Sequence, residues 1–147
     1  AFNGLGAPFW DSDIRGGFYG LTQDSSIQDM VTACFNSVAF QTKEITSILE
    51  KYDIKVSSLL VDGGMVKNKT FCQILANSLE KEILQPQNVE STALGACIVS
   101  MAASGDDLNN IKASDMDIFK PNVENTISSK KSYDEWKSYL IHTMRSK

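Results

Sequence analysis

The chain has 147 residues with a formal net charge of −4, of which 42% are hydrophobic and 22% charged. This length and composition suit one soluble globular domain with its own core. No basic stripe interrupts the acidic balance, which argues against nucleic acid as the main partner. No apolar run reaches the roughly 18 residues that a transmembrane helix needs, and the N-terminal residues lack a signal-peptide pattern.

The first sixteen residues, AFNGLGAPFWDSDIRG, show neither a helical nor a strand period, since glycines and a proline break regular structure. We expect three aromatic side chains to pin this segment onto a neighbouring surface: Phe2, Phe9 and Trp10. Arg15 could pair with Asp11 or Asp13, or these residues could face a ligand, and the sequence leaves both possibilities open. A start without methionine, directly in this dense stretch, indicates a piece of a longer protein.

Residues 17–21 are predicted to form a short strand. A long helix follows, because Ser25 and Gln28 have the spacing of a capping box, and its pattern continues to about Tyr52. Its predicted buried face consists of Ile27, Val31, Cys34, Val38, Ile45 and Leu49. Its predicted solvent-exposed side carries Lys43, Glu44, Glu50 and Lys51.

The central stretch is LLVDGGMVKN, residues 59–68. Residues 57–61 predict a strand, and the spacing of the following apolar residues predicts a helix over 68–79. Between them, Gly63 and Gly64 allow a ligand to lie directly on the backbone, and a helix N-terminus favours an anion. The pattern fits a nucleotide phosphate site, but it also fits an ordinary strand–helix turn that needs glycine only for its geometry.

The second half continues the alternation of strands and helices. A short strand at 82–84 is stopped by Pro86, and the small and apolar residues 92–104 predict a helix that is buried on most sides and ended by Gly105. Residues 106–125 are polar and irregular, with an anchor at 119–121. A last helix from Ser128 or Ser129 is predicted to dock through Tyr133, Trp136, Leu140 and Met144.

The alternation predicts an α/β fold with strand 57–61 at the heart of a sheet and helices near 25–51, 68–79 and 91–104 against it. Three separated cysteines give neither a disulfide framework nor a zinc site, so we expect small core residues in a reducing compartment: Cys34, Cys72 and Cys97. The single histidine, His142, is predicted to be a surface residue. The sequence contains no Ser/His/Asp set, no metal-ligand cluster and no complete Walker A loop.

Three stretches resemble the glycerol kinases of the FGGY carbohydrate kinase family. AFNGLGAPFWDSDIRGGFYGLT is similar to the family segment written AF-x-GLGAPYWD, ARG and GLT. LLVDGGMVKN resembles the nucleotide-site segment VDGG-x-x-x-N, and STALGA resembles TALGAA. The order and spacing agree over about residues 1–140. The segment GLGAPFWD resembles the corresponding sequence of glycerol kinases rather than that of xylulose or gluconate kinases.

The resemblance implies an α/β, actin-like ATPase fold of the ribonuclease H-like type, in two domains with ATP and glycerol between them. Residues 1–147 would be a partial C-terminal domain, the nucleotide-binding half of such a kinase without its first strands. The implied cofactors are ATP and Mg²⁺. The implied partners are ATP or ADP and glycerol, with glycerol held mainly by the missing N-terminal part. We also expect a cytoplasmic enzyme that forms a homo-oligomer.

By the same resemblance, the nucleotide site consists of Gly63, Gly64 and Asn68. Gly64 would contact the nucleotide by close backbone approach, and Asn68 by its side-chain amide. The family's proton-accepting aspartate and its glycerol ligands lie before this segment, so no catalytic or metal-binding residue is expected here and the segment alone should be inactive. Asp62 is expected to cap the turn. The alternatives are another FGGY sugar kinase and a non-catalytic actin-like nucleotide-binding module.

Overall fold

The computed structural model describes residues 3–87, 90–108, 111 and 115–145, and within them the chain forms five strands and four α-helices. In chain order these are β1 (Asn3–Leu5), β2 (Asp11–Arg15), α1 (Ile27–Lys51), β3 (Ser58–Leu60), α2 (Lys69–Leu79), β4 (Glu82–Pro86), α3 (Ser91–Ser104), β5 (Met116–Phe119) and α4 (Val123–Arg145). One short 3-10 helix, Gly64–Lys67, lies between β3 and α2. No helix of the described residues is long and apolar enough to cross a membrane.

Strands β3, β4 and β5 form one sheet in that order, with β3 parallel and β5 antiparallel to β4. The predicted strand at 57–61 is confirmed, but its place at the heart of the sheet is wrong, since the central strand of the three is β4. Strand β4 runs two residues further than predicted. Pro86 was expected to stop the strand before it, but a proline is tolerated at a strand end and Pro86 occupies the last position. Strand β5 lies in the segment expected to be irregular. Its four residues, among polar neighbours, are too few to give a recognisable strand pattern in the sequence.

The larger core forms around α2, whose predicted span of 68–79 is confirmed from Lys69 onward. The helix buries one broad face against β4 and α1, and Ile83 of β4 is completely buried there. The apolar residues of α2 in this core are Phe71, Cys72, Leu75, Ala76 and Leu79. Residues at spacings of three and four therefore fix which side of α2 faces the sheet.

Helix α1 begins one residue later than its predicted cap. Ser26, not Ser25, is the N-cap, and its side chain and that of Asp29 bond each other's backbone N–H groups in a capping box. The Asp29 carboxylate accepts hydrogen bonds from the Ser26 hydroxyl at 2.6 Å and from the Ser26 N–H at 2.9 Å, and these two bonds lower the pKa of Asp29. The predicted buried face is wrong at four of its six residues, which are exposed: Ile27, Val31, Ile45 and Leu49. The buried residues of α1 are Ala39, Phe40, Glu44 and Thr46, because the contacts of α1 with α2 and α4 decide which side is buried.

Strands β1 and β2 form an antiparallel hairpin in the segment for which no regular structure was expected. Its strands are short and closed by a Gly–Pro turn, so no strand period is visible in the sequence. The hairpin buries Leu5 and Ile14 against Leu140 of α4, and Phe9 packs on the same cluster as predicted. Trp10 instead is 79% exposed.

Two further predictions for this part of the chain have different outcomes. Residues 17–21 do not form the predicted strand, because this glycine-rich segment pairs with no other strand in the described structure. Phe2 lies outside the described residues.

Helix α4 begins at Val123, several residues before the predicted start, and docks through the predicted face. Trp136 and Met144 pack beside the buried Leu140. Tyr133 stacks on Trp136 with ring centroids 6.0 Å apart and meets Phe40 of α1 edge-on at 5.6 Å. This aromatic contact fixes α4 along α1.

A buried carboxylate joins the same two helices. Glu44 was expected on the exposed side of α1, but it is buried and accepts hydrogen bonds from the Tyr133 hydroxyl and, at 2.6 Å, from Lys137 Nζ. The contact with α4 buries this part of α1. The periodicity of apolar residues in α1 alone does not reveal that contact. Burial and the hydrogen bond to Glu44 raise the pKa of Tyr133, and the bond to Glu44 raises that of Lys137.

Helix α3 is confirmed over Ser91–Ser104 and ends at Gly105, whose φ of 81° is the left-handed conformation that glycine adopts readily. Its predicted burial is wrong, because no residue of α3 is buried. Cys97 is therefore exposed and Cys34 is half-buried, so only Cys72 is the expected core residue.

Replacing Glu44 with Ala should lower the free energy of unfolding by about 1–3 kcal/mol, because two donors at the α1–α4 contact lose their shared acceptor. Since the pKa values of Tyr133 and Lys137 are raised above their usual 10.0 and 10.5, this contribution is present at neutral pH and is lost as the pH rises above them. Urea denaturation over a pH series from 7 to beyond the raised pKa values of Tyr133 and Lys137 measures both effects.

Glu50→Ala is the matched control, since the Glu50 side chain is 46% exposed and its ion pair with Lys81 should contribute less than about 1 kcal/mol. Equal losses for the two variants at pH 7 would contradict the role given to Glu44.

Candidate functional site

The segment between β3 and α2, residues 62–67, is called the glycine turn below. Strand β3 ends where the Val61 N–H donates to the Leu84 carbonyl oxygen at 2.9 Å. The chain then turns at Gly63, with φ 100° and ψ 177°, and enters the 3-10 helix Gly64–Lys67. A side chain at φ 100° strains the backbone, so glycine is required at position 63.

The underside of the glycine turn is fixed to the larger core. Val66 is buried there, and the Cys72 thiol donates to the Val66 carbonyl oxygen with a sulfur–oxygen distance of 3.2 Å. Burial raises the pKa of the Cys72 thiol, which keeps it protonated as a donor. The turn is thus held by a buried side chain and by a hydrogen bond from α2.

The outer surface of the glycine turn is open. A Cβ atom added at Gly63 or Gly64 would have no other described atom within 4 Å. Gly64 itself does not have the positive φ of Gly63. Position 64 therefore accepts a small side chain without strain, and a ligand could approach its backbone directly.

Asn68 lies at the end of the glycine turn and caps α2. Its Oδ1 accepts hydrogen bonds from the backbone N–H groups of Thr70 at 2.9 Å and Phe71 at 3.2 Å. The glycines therefore do not lead directly into α2 as expected, since the 3-10 helix separates them from it. In addition, these first N–H groups of α2 already have a hydrogen-bond acceptor. Any nucleotide contact by this side chain falls to its Nδ2 group.

Asp62 does not have the capping role expected for it. Across the described residues, no side chain caps the start of the 3-10 helix. The Asp62 side chain is exposed at the end of β3.

The start of α3 lies beside the glycine turn. Lys67 Nζ is 3.2 Å from Glu90 Oε1, and Glu90 directly precedes α3. The Lys67 and Glu90 side chains, 23 residues apart in sequence, thus meet in space. Lys67 also lies at the turn, and its place there is not predictable from the sequence because a lysine within a polar turn has no distinguishing pattern.

A separate cleft of about 440 Å³ lies between β2, α1 and α4. Its wall includes Tyr19 and Tyr139, whose rings stack 4.8 Å apart, and the Tyr19 hydroxyl lies 2.8 Å from Thr143 Oγ1. None of Gly63, Gly64 and Asn68 lines it. The predicted nucleotide residues and this cleft are therefore two different places on the chain.

Arg15 lines that cleft, but its Nη1 donates to the backbone carbonyl oxygens of Ser12 at 2.8 Å and Ile14 at 3.2 Å. The Asp11 carboxylate accepts from the Asp13 N–H at 3.0 Å. These bonds shape the hairpin locally, and neither aspartate lines the cleft.

The described residues contain no group of three or more His, Cys, Asp and Glu side chains that could hold a metal ion. Asp62 is a single exposed carboxylate at the glycine turn, and one carboxylate does not make a complete site for Mg²⁺. The residues present therefore do not fit a dedicated metal centre.

Comparison with known sequences decides the family. The profile of the FGGY family of carbohydrate kinases, C-terminal domain, matches residues 1–104. The chain belongs to the FGGY family of carbohydrate kinases. A glycerol kinase of Alteromonas mediterranea is 38% identical over 143 residues, which is 94% of this chain and 28% of that protein. This FGGY-family chain thus spans less than a third of the length of that relative.

Solved structures agree with this assignment. The glycerol kinase of Plasmodium falciparum, determined with ADP, superposes with a TM-score of 0.75 at 31% identity, over 97% of this chain and 29% of that one. A ligand-bound xylulose kinase from Lactobacillus acidophilus superposes with a TM-score of 0.73 at 25% identity, over 90% and 28%. The actin-like α/β fold of the FGGY kinases is therefore confirmed for this chain.

The two glycines of the turn should respond differently to alanine. Gly63→Ala should cost about 1–2 kcal/mol of stability because position 63 has a left-handed φ, whereas Gly64→Ala should stay within about 0.5 kcal/mol. Thermal denaturation of the two variants beside the unmodified protein measures this difference. Equal stability losses would contradict the geometry of the glycine turn.

Proposed function

We propose that this chain is the nucleotide-binding part of an ATP-dependent glycerol kinase, which transfers the γ-phosphoryl group of ATP to glycerol and forms sn-glycerol 3-phosphate. The observation that carries this proposal is the glycine turn, whose outer surface is open over Gly63 and Gly64 while its underside is fixed. The 38% identity to a glycerol kinase and the likeness to a glycerol kinase determined with ADP support it.

In this proposal Gly63, Gly64 and Asn68 have three different tasks. Gly63 turns the chain, and Gly64 presents bare backbone to the ribose or phosphates of the nucleotide. The Asn68 Oδ1 is used by α2, so its Nδ2 group donates to the nucleotide. Lys67, whose side chain is 60% exposed, lies beside the turn together with its ion-pair partner Glu90.

The chemistry is in-line phosphoryl transfer, in which positioning and charge stabilisation do most of the work. This segment contributes nucleotide positioning, and the base that accepts the glycerol proton lies in the part of the kinase before it. Mg²⁺ neutralises phosphate charge when bound, and we expect it to arrive with ATP because the described residues do not build a complete metal site. The segment alone should therefore form no glycerol 3-phosphate.

The remaining sequence predictions belong to the same proposal. We assign all of residues 1–147 to the C-terminal domain, although the family profile matches only 1–104. The homo-oligomer and the cytoplasmic location stay predictions.

In the complete enzyme, Gly64→Val should lower kcat/KM for ATP at least about a hundredfold, which is about 2.7 kcal/mol. The valine side chain would occupy the space in which the nucleotide meets the backbone. Steady-state kinetics with varied ATP and saturating glycerol measure the loss. Gly6→Val is the matched control, since Gly6 has an ordinary φ and its nearest Cβ neighbour is a flexible glutamine atom at 4.0 Å.

Asn68→Ser should raise the KM for ATP about two- to twelvefold, the effect of one neutral hydrogen bond, and leave the KM for glycerol nearly unchanged. Serine keeps the helix cap but lacks the amide, so this variant separates nucleotide binding from the stability of α2. Thermal melts of both variants must match the unmodified enzyme. If folded Gly64→Val keeps unmodified ATP kinetics, the glycine turn is structural only.

Glycerol should be phosphorylated at least about tenfold more efficiently than xylulose or gluconate, compared as kcat/KM. A ranking with a sugar first would favour another FGGY kinase, an alternative that the similarity to a xylulose kinase structure supports. ATP binding without transfer to any of the three would instead favour a non-catalytic nucleotide-binding module.

A further inference from the structure

The Val66 carbonyl oxygen has an unusual hydrogen-bond donor. It lies near the end of the 3-10 helix Gly64–Lys67, and the last carbonyl groups of a helix lack a donor within that helix. The N–H four residues further on, that of Thr70, donates to Asn68 Oδ1 at 2.9 Å. The Cys72 thiol donates to the Val66 carbonyl, with a sulfur–oxygen distance of 3.2 Å. A side chain of α2 thus takes the place of a backbone donor.

This hydrogen bond lies in the interior of the protein. Val66 is 5% exposed and Cys72 is completely buried. The buried side chain of Gln85, on the central strand β4, has its Oε1 atom 3.9 Å from the same sulfur. Because a buried carbonyl group without a donor costs free energy, the thiol is needed at this place.

The 3-10 helix transmits the position of Val66 to Gly64. The helix has only four residues, with Gly64 first and Val66 third, and the Asn68 N–H donates to the Met65 carbonyl at 3.2 Å. On the outer surface, a Cβ atom added at Gly64 would meet no other described atom within 4 Å. The position of the Gly64 backbone therefore depends on what holds the underside of the glycine turn.

We propose that Cys72 is a positioning residue for nucleotide binding, because its thiol holds the Val66 carbonyl and thereby keeps the Gly64 backbone where the nucleotide meets it. The proposal rests on the proposed function, since it takes the glycine turn as the nucleotide site. Cys72 acts only through the turn, because it is completely buried in the larger core.

Two other roles for this cysteine differ in their consequences. Burial raises the pKa of the Cys72 thiol, and a buried, protonated thiol is unreactive, so redox chemistry is not its role. Packing alone would make residue 72 important for stability but not for ATP binding. The hydrogen bond and the packing can be separated, because serine and alanine are both smaller than cysteine but only serine has a donor.

The first test compares Cys72→Ala with Cys72→Ser in the complete kinase by steady-state kinetics. Cys72→Ala should raise the KM for ATP at least about threefold and leave kcat and the KM for glycerol within about twofold. Cys72→Ser should keep all three values within about twofold, because its hydroxyl can donate to the Val66 carbonyl. Equal KM values for ATP in the two variants would overturn the proposal.

Leu79→Val is the control for lost stability. Leu79 is buried in the same core at the other end of α2, so this change should lower the Tm without moving the glycine turn. Its KM for ATP should stay within about twofold of the unmodified enzyme. A rise as large as that of Cys72→Ala would overturn the proposal, because lost core packing alone would then explain both effects.

The second test needs no nucleotide. In hydrogen exchange followed by mass spectrometry, a peptide covering residues 62–68 should exchange at least about threefold faster in Cys72→Ala than in Cys72→Ser. Equal exchange would overturn the hold of Cys72 on the turn, whatever the turn binds. Unequal exchange with equal KM values for ATP would instead overturn the glycine turn as the nucleotide site, and with it the proposed function.

Discussion

The burial of α2 between the sheet and α1 is the constraint on which the glycine turn depends. Phe71, Cys72 and Leu75 are held in the larger core, and they fix the start of the helix relative to β4. Asn68 caps α2, and the Cys72 thiol donates a hydrogen bond to the Val66 carbonyl oxygen. Together these contacts fix the position of the glycine turn. The outer surface can remain bare for a ligand because the inner surface carries all of the packing.

The sequence predicted elements well where one helix face meets one core. Helix α2 has its apolar residues in the correct register, and the docking face of α4 follows from Trp136 and Leu140. The prediction that Glu44 is exposed was wrong, because its burial comes from contacts with Tyr133 and Lys137, which lie 89 and 93 residues away in sequence. The prediction for α3 was wrong for a different reason: its apolar composition indicates burial, but none of its residues is buried among the described residues.

The geometry of the candidate site was only partly predictable from the sequence. Two adjacent glycines after a strand indicate a turn. Of the two, only Gly63 has a positive φ, for which glycine is required. The 3-10 helix between the glycines and α2 leaves no periodic signal in four residues. Its presence separates the N-terminus of α2 from the glycines, and the open backbone at Gly64 remains as the predicted nucleotide contact. The Lys67–Glu90 pair, which brings α3 to this turn, depends on tertiary structure alone.

The glycine turn and the cleft beside Tyr19 and Trp136 are two competing places for a ligand, and the account rests on the first. A crystal structure of the complete protein with ADP compares them most directly. We predict ADP against the backbone of Gly64, with Asn68 Nδ2 within hydrogen-bond distance of the nucleotide. ADP bound in the cleft between β2, α1 and α4, with an empty glycine turn, would contradict the account.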